Sequence, residues 1–223
     1  MNIKDLRMRG GKYILSRIPT IPFRIKKIWY IRYNRFIFWL NDVKFGKNMM
    51  VCNKFYLQKL MGSQIVIGDN FKFTSGDGQN PLSRSQHGCI HAGVGAKIVI
   101  GNNVGISSSS IRAGESITIG NNVKIGGDCI IMDTDAHSMD WRLRTSKERT
   151  ADGRSIDNAS AKTKPIVICD DVLLGMKSII LKGVTIGARS VIGSGSVVTK
   201  NVPEDEIWAG NPARFIRKVK SEK

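Results

Sequence analysis

An aliphatic residue recurs at every sixth position in the last third of the chain. A period of six fits neither an α-helix, with about 3.6 residues per turn, nor an alternating strand, with a period of about two. It fits a chain that turns a corner every six residues, so that three hexads complete one triangular coil. Each coil buries its apolar side only against its neighbours, which is typical of a solenoid. The recurring residues are Ile168, Leu174, Ile180, Ile186, Ile192 and Val198.

Residues that tolerate unusual backbone angles stand between the aliphatic positions, where a coil must turn. Ile-Gly pairs recur, and residues 102–103 and 121–122 are both Asn-Asn. Glycine and asparagine favour such corners. The sequence therefore predicts an all-β solenoid, a parallel β-helix of hexapeptide repeats, over residues 46–206. A sandwich of short strands is the alternative fold.

Four segments depart from the hexad. Residues 74–92 are polar and rich in Gly and Ser, and residues 133–164 are charged, so both are predicted to be loops. A long ordered loop in a compact fold is usually functional. Residues 207–223 are predicted to turn into a short basic helix. Residues 1–45 are basic and aromatic and are predicted to be mainly helical, with an apolar helical face. That face consists of Ile25, Ile28, Trp29, Phe36, Trp39 and Leu40.

The positive charge is concentrated at the two ends of the chain. The formal net charge is +17, and residues 1–60 carry 14 Lys and Arg against two acidic residues. Residues 61–213 are nearly neutral, with 16 basic and 15 acidic residues. A basic end attracts anionic membranes, nucleic acid or anionic cofactors. Because the middle offers no basic stripe, no nucleic-acid partner is predicted.

Neither a metal site nor a membrane span is predicted. The four cysteines lack zinc spacing, and the Gly-rich surroundings of His87 and His91 disfavour a helix that would present both to a metal. Unpaired thiols are typical of a reducing cytoplasm. No apolar run reaches the roughly 20 residues of a transmembrane helix, and no secretory signal is evident. We therefore expect a cytoplasmic location, with the inner face of the cytoplasmic membrane as a possible site of peripheral contact.

Three motifs make the stretch from about residue 98 to 219 similar to bacterial hexapeptide-repeat O-acetyltransferases. These include galactoside and maltose O-acetyltransferases and polysaccharide-modifying enzymes. The motifs are DTDAHS at 133–138, IILKGVTIG at 179–187, and GSGSVVTK at 193–200 leading to AGNPAR at 209–214. The resemblance implies a left-handed β-helix, a homotrimer and acetyl-CoA as acetyl donor. It also implies that the coenzyme lies between neighbouring β-helices, so that each active site draws on two subunits.

His137 is the predicted general base. A neutral hydroxyl is a poor nucleophile, and an imidazole, with an unperturbed pKa of about 6.5, is suited to taking its proton at neutral pH. His137 lies where the repeat breaks into the loop at 133–164, and it aligns with the catalytic histidine of the resembled family. The alternative is a surface histidine in a polar loop.

Other side chains are predicted to serve the acceptor or the imidazole. Asp133 and Asp135 precede His137 at two-residue spacing, so in an extended segment all three side chains point to one side. One carboxylate is expected to orient the imidazole and the other to bind sugar hydroxyls. The spacing does not decide between them; Asp135 is taken as the catalytic residue and Asp133 as an acceptor contact. Trp141 is predicted either to stack on a sugar or to anchor the loop. Ser107 is a further predicted acceptor contact.

Seven residues of the matched motifs are predicted to bind the coenzyme. Backbone groups would line its extended arm, and cations would meet its phosphates. Leu173 departs from the Trp that many relatives carry before the matching hexad, which leaves acceptor specificity open. The predicted coenzyme-binding residues are Gly175, Met176 and Ser194 for the arm, and Thr199, Lys200, Arg214 and Arg217 for the phosphate and adenine end.

The predicted function is transfer of an acetyl group from acetyl-CoA to a sugar hydroxyl of a surface polysaccharide or its lipid-linked precursor. The alternative acceptor is small: a free sugar, a nucleotide-sugar amine or an antibiotic. Residues 1–45 are predicted either to dock on an anionic membrane surface or to pack against the β-helix or a trimer interface.

Overall fold

The computed structural model describes residues 21–76 and 86–220, and its strands form three sheets, A, B and C, that are the faces of a triangular prism. The chain passes from sheet A to B to C in each coil, and each strand except the last pairs in parallel with those one coil away. The architecture is the predicted left-handed parallel β-helix. Sheet A contains β1 (Lys44–Phe45), β4 (Gln64–Ile67), β7 (Lys97–Ile100), β10 (Ser116–Ile119), β13 (Ile166–Ile168) and β16 (Thr185–Ile186).

Sheets B and C complete the prism. Sheet B contains β2 (Met50–Cys52), β5 (Lys72–Thr74), β8 (Gly105–Ser107), β11 (Lys124–Ile125), β14 (Leu173–Leu174), β17 (Val191–Ile192), β19 (Glu206–Gly210) and β20 (Ala213–Lys218). Sheet C contains β3 (Phe55–Lys59), β6 (Gly88–Ala92), β9 (Ser110–Ala113), β12 (Ile130–Met132), β15 (Ile179–Leu181) and β18 (Val197–Val198).

The hexad aliphatics form the core, as the sequence predicts. All six lead residues are fully buried. In sheet C, for example, Ile131 is in register with Ile180, and Ile180 with Val198, so one inward column runs along the prism axis. Serines at the ends of hexads are also buried, and their hydroxyls donate to backbone carbonyls. Ser178 donates to Gly175 at 2.7 Å and Ser196 to Gly193 at 2.6 Å.

Corner residues, among them the predicted Asn103 and Asn122, form a ladder along the edge between sheets A and B. Side chains of successive coils hydrogen-bond to one another at 2.8–3.0 Å. Every member has a positive φ, near 60°, which Asn and Asp adopt more readily than other non-glycine residues. The ladder consists of Asn48, Asn70, Asn103, Asn122 and Asp171.

A helix, α1 (Ile21–Leu40), covers the first coil. Asn34 donates to the carbonyls of Val51 and Asn53 at 2.9 Å, and buried Phe38 packs against Phe55 with ring centroids 5.5 Å apart. The predicted apolar face lies on the opposite side of the helix, and its six side chains are 54–66% exposed. The part of the predicted segment before residue 21 lies outside the described residues.

The predicted C-terminal helix is wrong. Residues 206–218 instead form an antiparallel hairpin, in which β19 pairs in parallel with β17 and β20 pairs with β19. The last coil of a β-helix exposes a strand edge with unpaired backbone groups. Here β20 pairs with the exposed backbone groups of β19. A short mixed run such as 213–219 carries too little periodicity to distinguish a helix from a strand.

The two predicted loops differ in outcome. Residues 88–92 of the segment 74–92 belong to strand β6, and residues 77–85 lie outside the described part. The segment 133–164 does interrupt the repeat, between β12 and β13, and contains two short helices, α2 (Trp141–Thr145) and α3 (Ile156–Ala159).

Among the described residues, no helix has the length and apolarity needed to cross a bilayer.

Candidate active site

The loop at 133–164, called the edge loop below, grows out of the edge where sheets C and A meet. Its ends are held together by a β-bridge between Thr134 and Thr163 and by the Lys164 N–H, which donates to the Asp133 carbonyl at 2.9 Å. The chain then resumes in β13. The edge loop is therefore anchored on the rigid β-helix at both ends.

His137 is held by Asp157, which the sequence analysis did not single out. The His137 Nδ1 lies 2.6 Å from the Asp157 Oδ2, and the other carboxylate oxygen accepts from the Ser138 N–H at 2.7 Å. Asp157 is 9% exposed, whereas the His137 side chain is 60% exposed. The imidazole is thus fixed on one nitrogen and open to a ligand on the rest of its ring.

The contact has a defined electrostatic sense. The hydrogen bond from His137, with that from the Ser138 backbone, lowers the pKa of Asp157, so the carboxylate stays ionised at neutral pH. An ionised carboxylate at Nδ1 favours the tautomer with its proton on Nδ1. Nε2 is then free to accept a proton from a substrate.

Asp133 does not face a ligand. It is fully buried, and its carboxylate accepts from the backbone N–H groups of Gly114 at 2.5 Å, Glu115 at 2.9 Å and Ser116 at 2.6 Å. It therefore closes the corner of the preceding coil, and its predicted role in acceptor binding is corrected to a structural one. His137 does not share one side with the two carboxylates, because the segment turns at Ala136, where φ is +62°.

Asp135 does not contact the imidazole ring, so its predicted role in orienting His137 passes to Asp157. Its carboxylate pairs with the ammonium of Lys182, which follows β15. Its carbonyl accepts from the His137 N–H at 2.7 Å. Asp135 thus fixes the turn that carries His137, and Lys182 ties that turn to the next coil.

The predicted acceptor contacts Trp141 and Ser107 lie far apart in the fold. Trp141 begins α2 in the edge loop and is 66% exposed, which leaves its ring available to a ligand. Ser107 ends β8 in sheet B, where its hydroxyl accepts from Thr74 Oγ1 at 3.2 Å. Within one chain, Ser107 therefore belongs to the edge between sheets B and C, and His137 to the edge between C and A.

The seven predicted coenzyme residues are divided in the same way. Three follow β14 and β17 on the B–C edge, where the Gly195 N–H donates to the Met176 carbonyl at 2.8 Å. Two follow β18 on the C–A edge, and two are exposed on β20. One copy of the chain does not bring them together. On the B–C edge lie Gly175, Met176 and Ser194, on the C–A edge Thr199 and Lys200, and on β20 Arg214 and Arg217.

Residues 165–200 match the family model of the bacterial transferase hexapeptide with six repeats. A solved hexapeptide-repeat acetyltransferase of Vibrio cholerae, in complex with acetyl coenzyme A, is 32% identical over 74% of this chain and 70% of that chain, with a TM-score of 0.40. The chain belongs to the hexapeptide-repeat transferases. The matched repeats are the last two coils, which contain five of the seven predicted coenzyme residues.

Other proteins match over shorter stretches or at lower identity. A Schizosaccharomyces pombe protein named as an acetyltransferase is 53% identical over 58 residues, 26% of this chain and 28% of its own length. A tetrahydropyridine-dicarboxylate N-acetyltransferase of Clostridium perfringens is 49% identical over 55 residues, 25% of this chain and 23% of its own length. The chain thus spans about a quarter of these curated relatives.

A second solved structure supports the fold alone. The N-acyltransferase AntD of Bacillus cereus, in complex with dTDP and 3-hydroxybutyryl-CoA, is 18% identical, with a TM-score of 0.62 over 84% of this chain and 88% of its own. Within this hexapeptide-repeat transferase, the residue that the sequence analysis missed is Asp157. It lies 20 positions beyond His137, and no motif marks it among the acidic residues of the edge loop.

Proposed function

We propose that this protein transfers the acetyl group of acetyl-CoA to a hydroxyl group of a sugar. The observation that carries the proposal is the exposed His137 imidazole held at Nδ1 by the buried Asp157 carboxylate. The Vibrio cholerae relative named above is in complex with acetyl coenzyme A, which supports the choice of donor. The sugar belongs to a surface polysaccharide or to its lipid-linked precursor.

The reaction assigns one role to each member of the pair. His137 Nε2 takes the proton of the sugar hydroxyl as the oxygen attacks the thioester carbonyl carbon. The tetrahedral intermediate then expels the coenzyme thiolate, which receives the proton from the imidazolium, so that an acetyl ester and a free thiol result. Asp157 stabilises the imidazolium that forms between the two steps and holds the ring in one orientation.

The active site is completed by a second copy of the chain in a homotrimer. Support comes from the division of the predicted ligands, because His137 lies on the C–A edge whereas Ser107, Gly175, Met176 and Ser194 lie on the B–C edge. In the proposed trimer, the C–A edge of one copy meets the B–C edge of the next. The coenzyme arm then lies between the two edges.

An amine acceptor is the second candidate. The Clostridium perfringens relative is named an N-acetyltransferase, and it shares 49% identity over 55 residues with this chain. An amine must also lose a proton during acyl transfer, so the His137–Asp157 pair suits either acceptor. The two products differ in chemistry, since a sugar ester is cleaved by hydroxylamine and an amide resists it.

The function is tested by the release of coenzyme A thiol from acetyl-CoA across a panel of acceptors. The panel contains polysaccharides, free sugars, lipid-linked sugars and amino sugars. We expect turnover with a hydroxyl acceptor and a product that neutral hydroxylamine cleaves. A product that resists hydroxylamine would assign the amine instead, and no thiol release with any acceptor would count against the transferase.

We further propose that the exposed face of α1 lies on an anionic membrane surface. The face presents Ile25, Ile28, Trp29, Phe36, Trp39 and Leu40, together with Tyr33. Because Asn34 and Phe38 occupy the other side, the packing of α1 on the β-helix leaves this face uncovered. An amphipathic helix with tryptophans and basic flanks is typical of the membrane interface.

Charge favours a bilayer over a second copy of the chain as the occupant of this face. Residues 1–60 carry 14 basic and two acidic residues, so self-association would bring like charges together. Arg32 is exposed and lies within the apolar face, between Ile28 and Phe36 along the helix. A dry protein interface would leave its guanidinium unpaired, whereas at a bilayer surface it reaches lipid phosphates.

Sedimentation with vesicles tests this surface. Trp39 and Trp141 are both 66% exposed, but only Trp39 lies on α1, so their alanine variants form a matched pair. We expect Trp39→Ala to weaken partitioning into anionic vesicles about tenfold, because apolar area leaves the interface, and Trp141→Ala to leave it unchanged. Equal loss in both variants, or equal binding to neutral vesicles, would contradict membrane docking.

A further inference from the structure

A cavity of about 700 Å³ lies between the underside of the edge loop and the coils that precede it. One wall is the C–A edge at strands β6 and β9, and the other is the stretch of the edge loop around α3. The volume is within the range of small-molecule sites, about 300–1,000 Å³. Its lining includes His91, Arg112, Ala136, Arg149, Arg154 and Asn158.

The charge on this lining is of one sign. It contains the three arginines Arg112, Arg149 and Arg154 and no carboxylate. Arg154 pairs with Asp152 outside the lining at 2.8 Å, and Arg149 donates to the Gly153 carbonyl, also at 2.8 Å. The Arg112 guanidinium has no hydrogen bond to any described residue. Two of the three positive charges, those of Arg112 and Arg149, therefore have no acidic partner within residues 21–76 and 86–220.

His91 adds a polar group without adding charge. It is in register with Arg112 on the neighbouring strand, and both side chains point outward from sheet C. Burial, and then the positive charge of Arg112, lowers the pKa of His91. The imidazole is therefore neutral at pH 7, and the arginines supply the positive potential of the cavity.

The cavity adjoins the His137–Asp157 pair. Ala136 and Asn158 line it, and these are the chain neighbours of His137 and Asp157. The Asn158 Nδ2 donates to the Ala136 carbonyl at 2.8 Å, so one hydrogen bond joins the two segments at the cavity wall. Consecutive Cα atoms are about 3.8 Å apart, so a ligand in the cavity lies close to the backbone that carries the pair.

We infer that this cavity binds a phosphate or diphosphate group on the acceptor, and that the acceptor is a sugar diphosphate rather than a neutral sugar. The inference rests on the proposed function. Guanidinium groups match phosphate oxygens with two parallel hydrogen bonds, which explains three arginines in one small lining. A neutral sugar would leave their charge unbalanced. A nucleotide and a polyprenol are the two carriers that supply such a diphosphate.

Calorimetry with inorganic pyrophosphate, in the presence of saturating coenzyme A, tests the site directly. We expect Arg112→Gln and Arg149→Gln each to weaken pyrophosphate binding about tenfold, as expected for the loss of a charge-assisted hydrogen bond. Arg142→Gln is the matched control, because Arg142 lies in the same loop, is paired with Asp140 and does not line the cavity. Its affinity should equal that of the wild type.

Kinetics then connect the cavity to the acceptor. We expect Arg112→Gln to raise the KM for a diphosphate-linked sugar about tenfold, with kcat nearly unchanged and the KM for acetyl-CoA unaffected. A nucleotide sugar and a polyprenyl-diphosphate sugar are assayed separately, and the better substrate identifies the carrier. His137→Ala should lose turnover but bind pyrophosphate like the wild type, which separates failure of this inference from failure of the proposed function.

Three outcomes would overturn the inference. The first is pyrophosphate affinity that is equal in Arg112→Gln, Arg149→Gln and Arg142→Gln. The second is loss of pyrophosphate binding when coenzyme A is added, which would assign the arginines to the coenzyme phosphates. The third is a KM for the sugar diphosphate that Arg112→Gln does not change.

Discussion

Replacing His137 by alanine should reduce acetyl transfer by about a thousandfold, within the range of about 10²–10⁴ that a positioned general base contributes. The physical reason is that no other described imidazole lies in the edge loop, and the sugar hydroxyl would have to lose its proton to water. The ring is 60% exposed, and its one hydrogen bond to a described residue is with Asp157, so its removal should leave the fold intact. The measurement is thiol release from acetyl-CoA with the best acceptor of the panel.

Asp157→Asn extends this prediction as a graded variant. The amide keeps an oxygen for the Ser138 N–H but removes the negative charge that faces Nδ1. We expect kcat to fall about 10–100-fold, because the imidazolium is less well stabilised and the ring is held less firmly. Asp140→Asn is the matched control, since Asp140 lies in the same loop, caps α2 and pairs with the exposed Arg142, but does not contact His137; asparagine also fills the capping role.

The readouts separate catalysis from binding. Coenzyme A affinity, measured by calorimetry, should be unchanged in His137→Ala and in Asp157→Asn. Near-normal turnover in His137→Ala would rule out the mechanism. Equal losses in Asp157→Asn and Asp140→Asn would show that the edge loop responds to any change of charge, and that Asp157 has no special position.

The second large effect is on stability. Asp133→Ala should lower the free energy of unfolding by about 3 kcal/mol, because three part-buried backbone N–H groups lose their acceptor, and an unsatisfied buried donor costs about 1–3 kcal/mol before water and relaxation recover part of it. Those groups belong to Gly114, Glu115 and Ser116. The measurement is urea unfolding at a fixed protein concentration, since association also contributes to apparent stability.

Two further variants frame this result. Asp133→Asn keeps one oxygen acceptor, so its free energy of unfolding should fall less than that of Asp133→Ala. Asp170→Ala removes a corner acceptor of the same kind, which binds the Asn121 N–H at 2.7 Å, but Asp170 is exposed and water replaces it. The free energy of unfolding should therefore fall much less in Asp170→Ala than in Asp133→Ala. Wild-type stability in Asp133→Ala, together with a raised KM for the acceptor, would restore Asp133 as a substrate ligand.

The hexad determined the fold because its information is local. Each lead aliphatic residue specifies which face of its own strand points inward. Because successive coils are similar, each stacks on the one before it, and no pairing between distant segments has to be specified. Ile168, Ile180 and Val198 are therefore buried in columns as the period alone predicts. The corner residues are local in the same sense, since Asn and Asp were placed at positive φ by their own backbone preference.

Motif spacing identified the site only in part. His137 was found because it stands where the repeat breaks, but the prediction that Asp133 and Asp135 share its side assumed an extended segment. The backbone turns at Ala136, between the two carboxylates and His137; Asp133 points into a corner and Asp135 to Lys182. The spacing of residues in the sequence predicts the direction of their side chains only as long as they belong to one continuous strand or helix.

The sequence by itself determined the coil, its core and the place of the imidazole, because these depend on residues a few positions apart. Only the tertiary structure decided which carboxylate serves His137, which face of α1 is left uncovered and how the last strand edge is closed. Asp157 is brought to His137 by the folding of a loop 32 residues long, 133–164, and that path has no period. Contacts across an irregular loop, such as that of His137 with Asp157, depend on the packing of the whole chain, and no local sequence pattern predicts them.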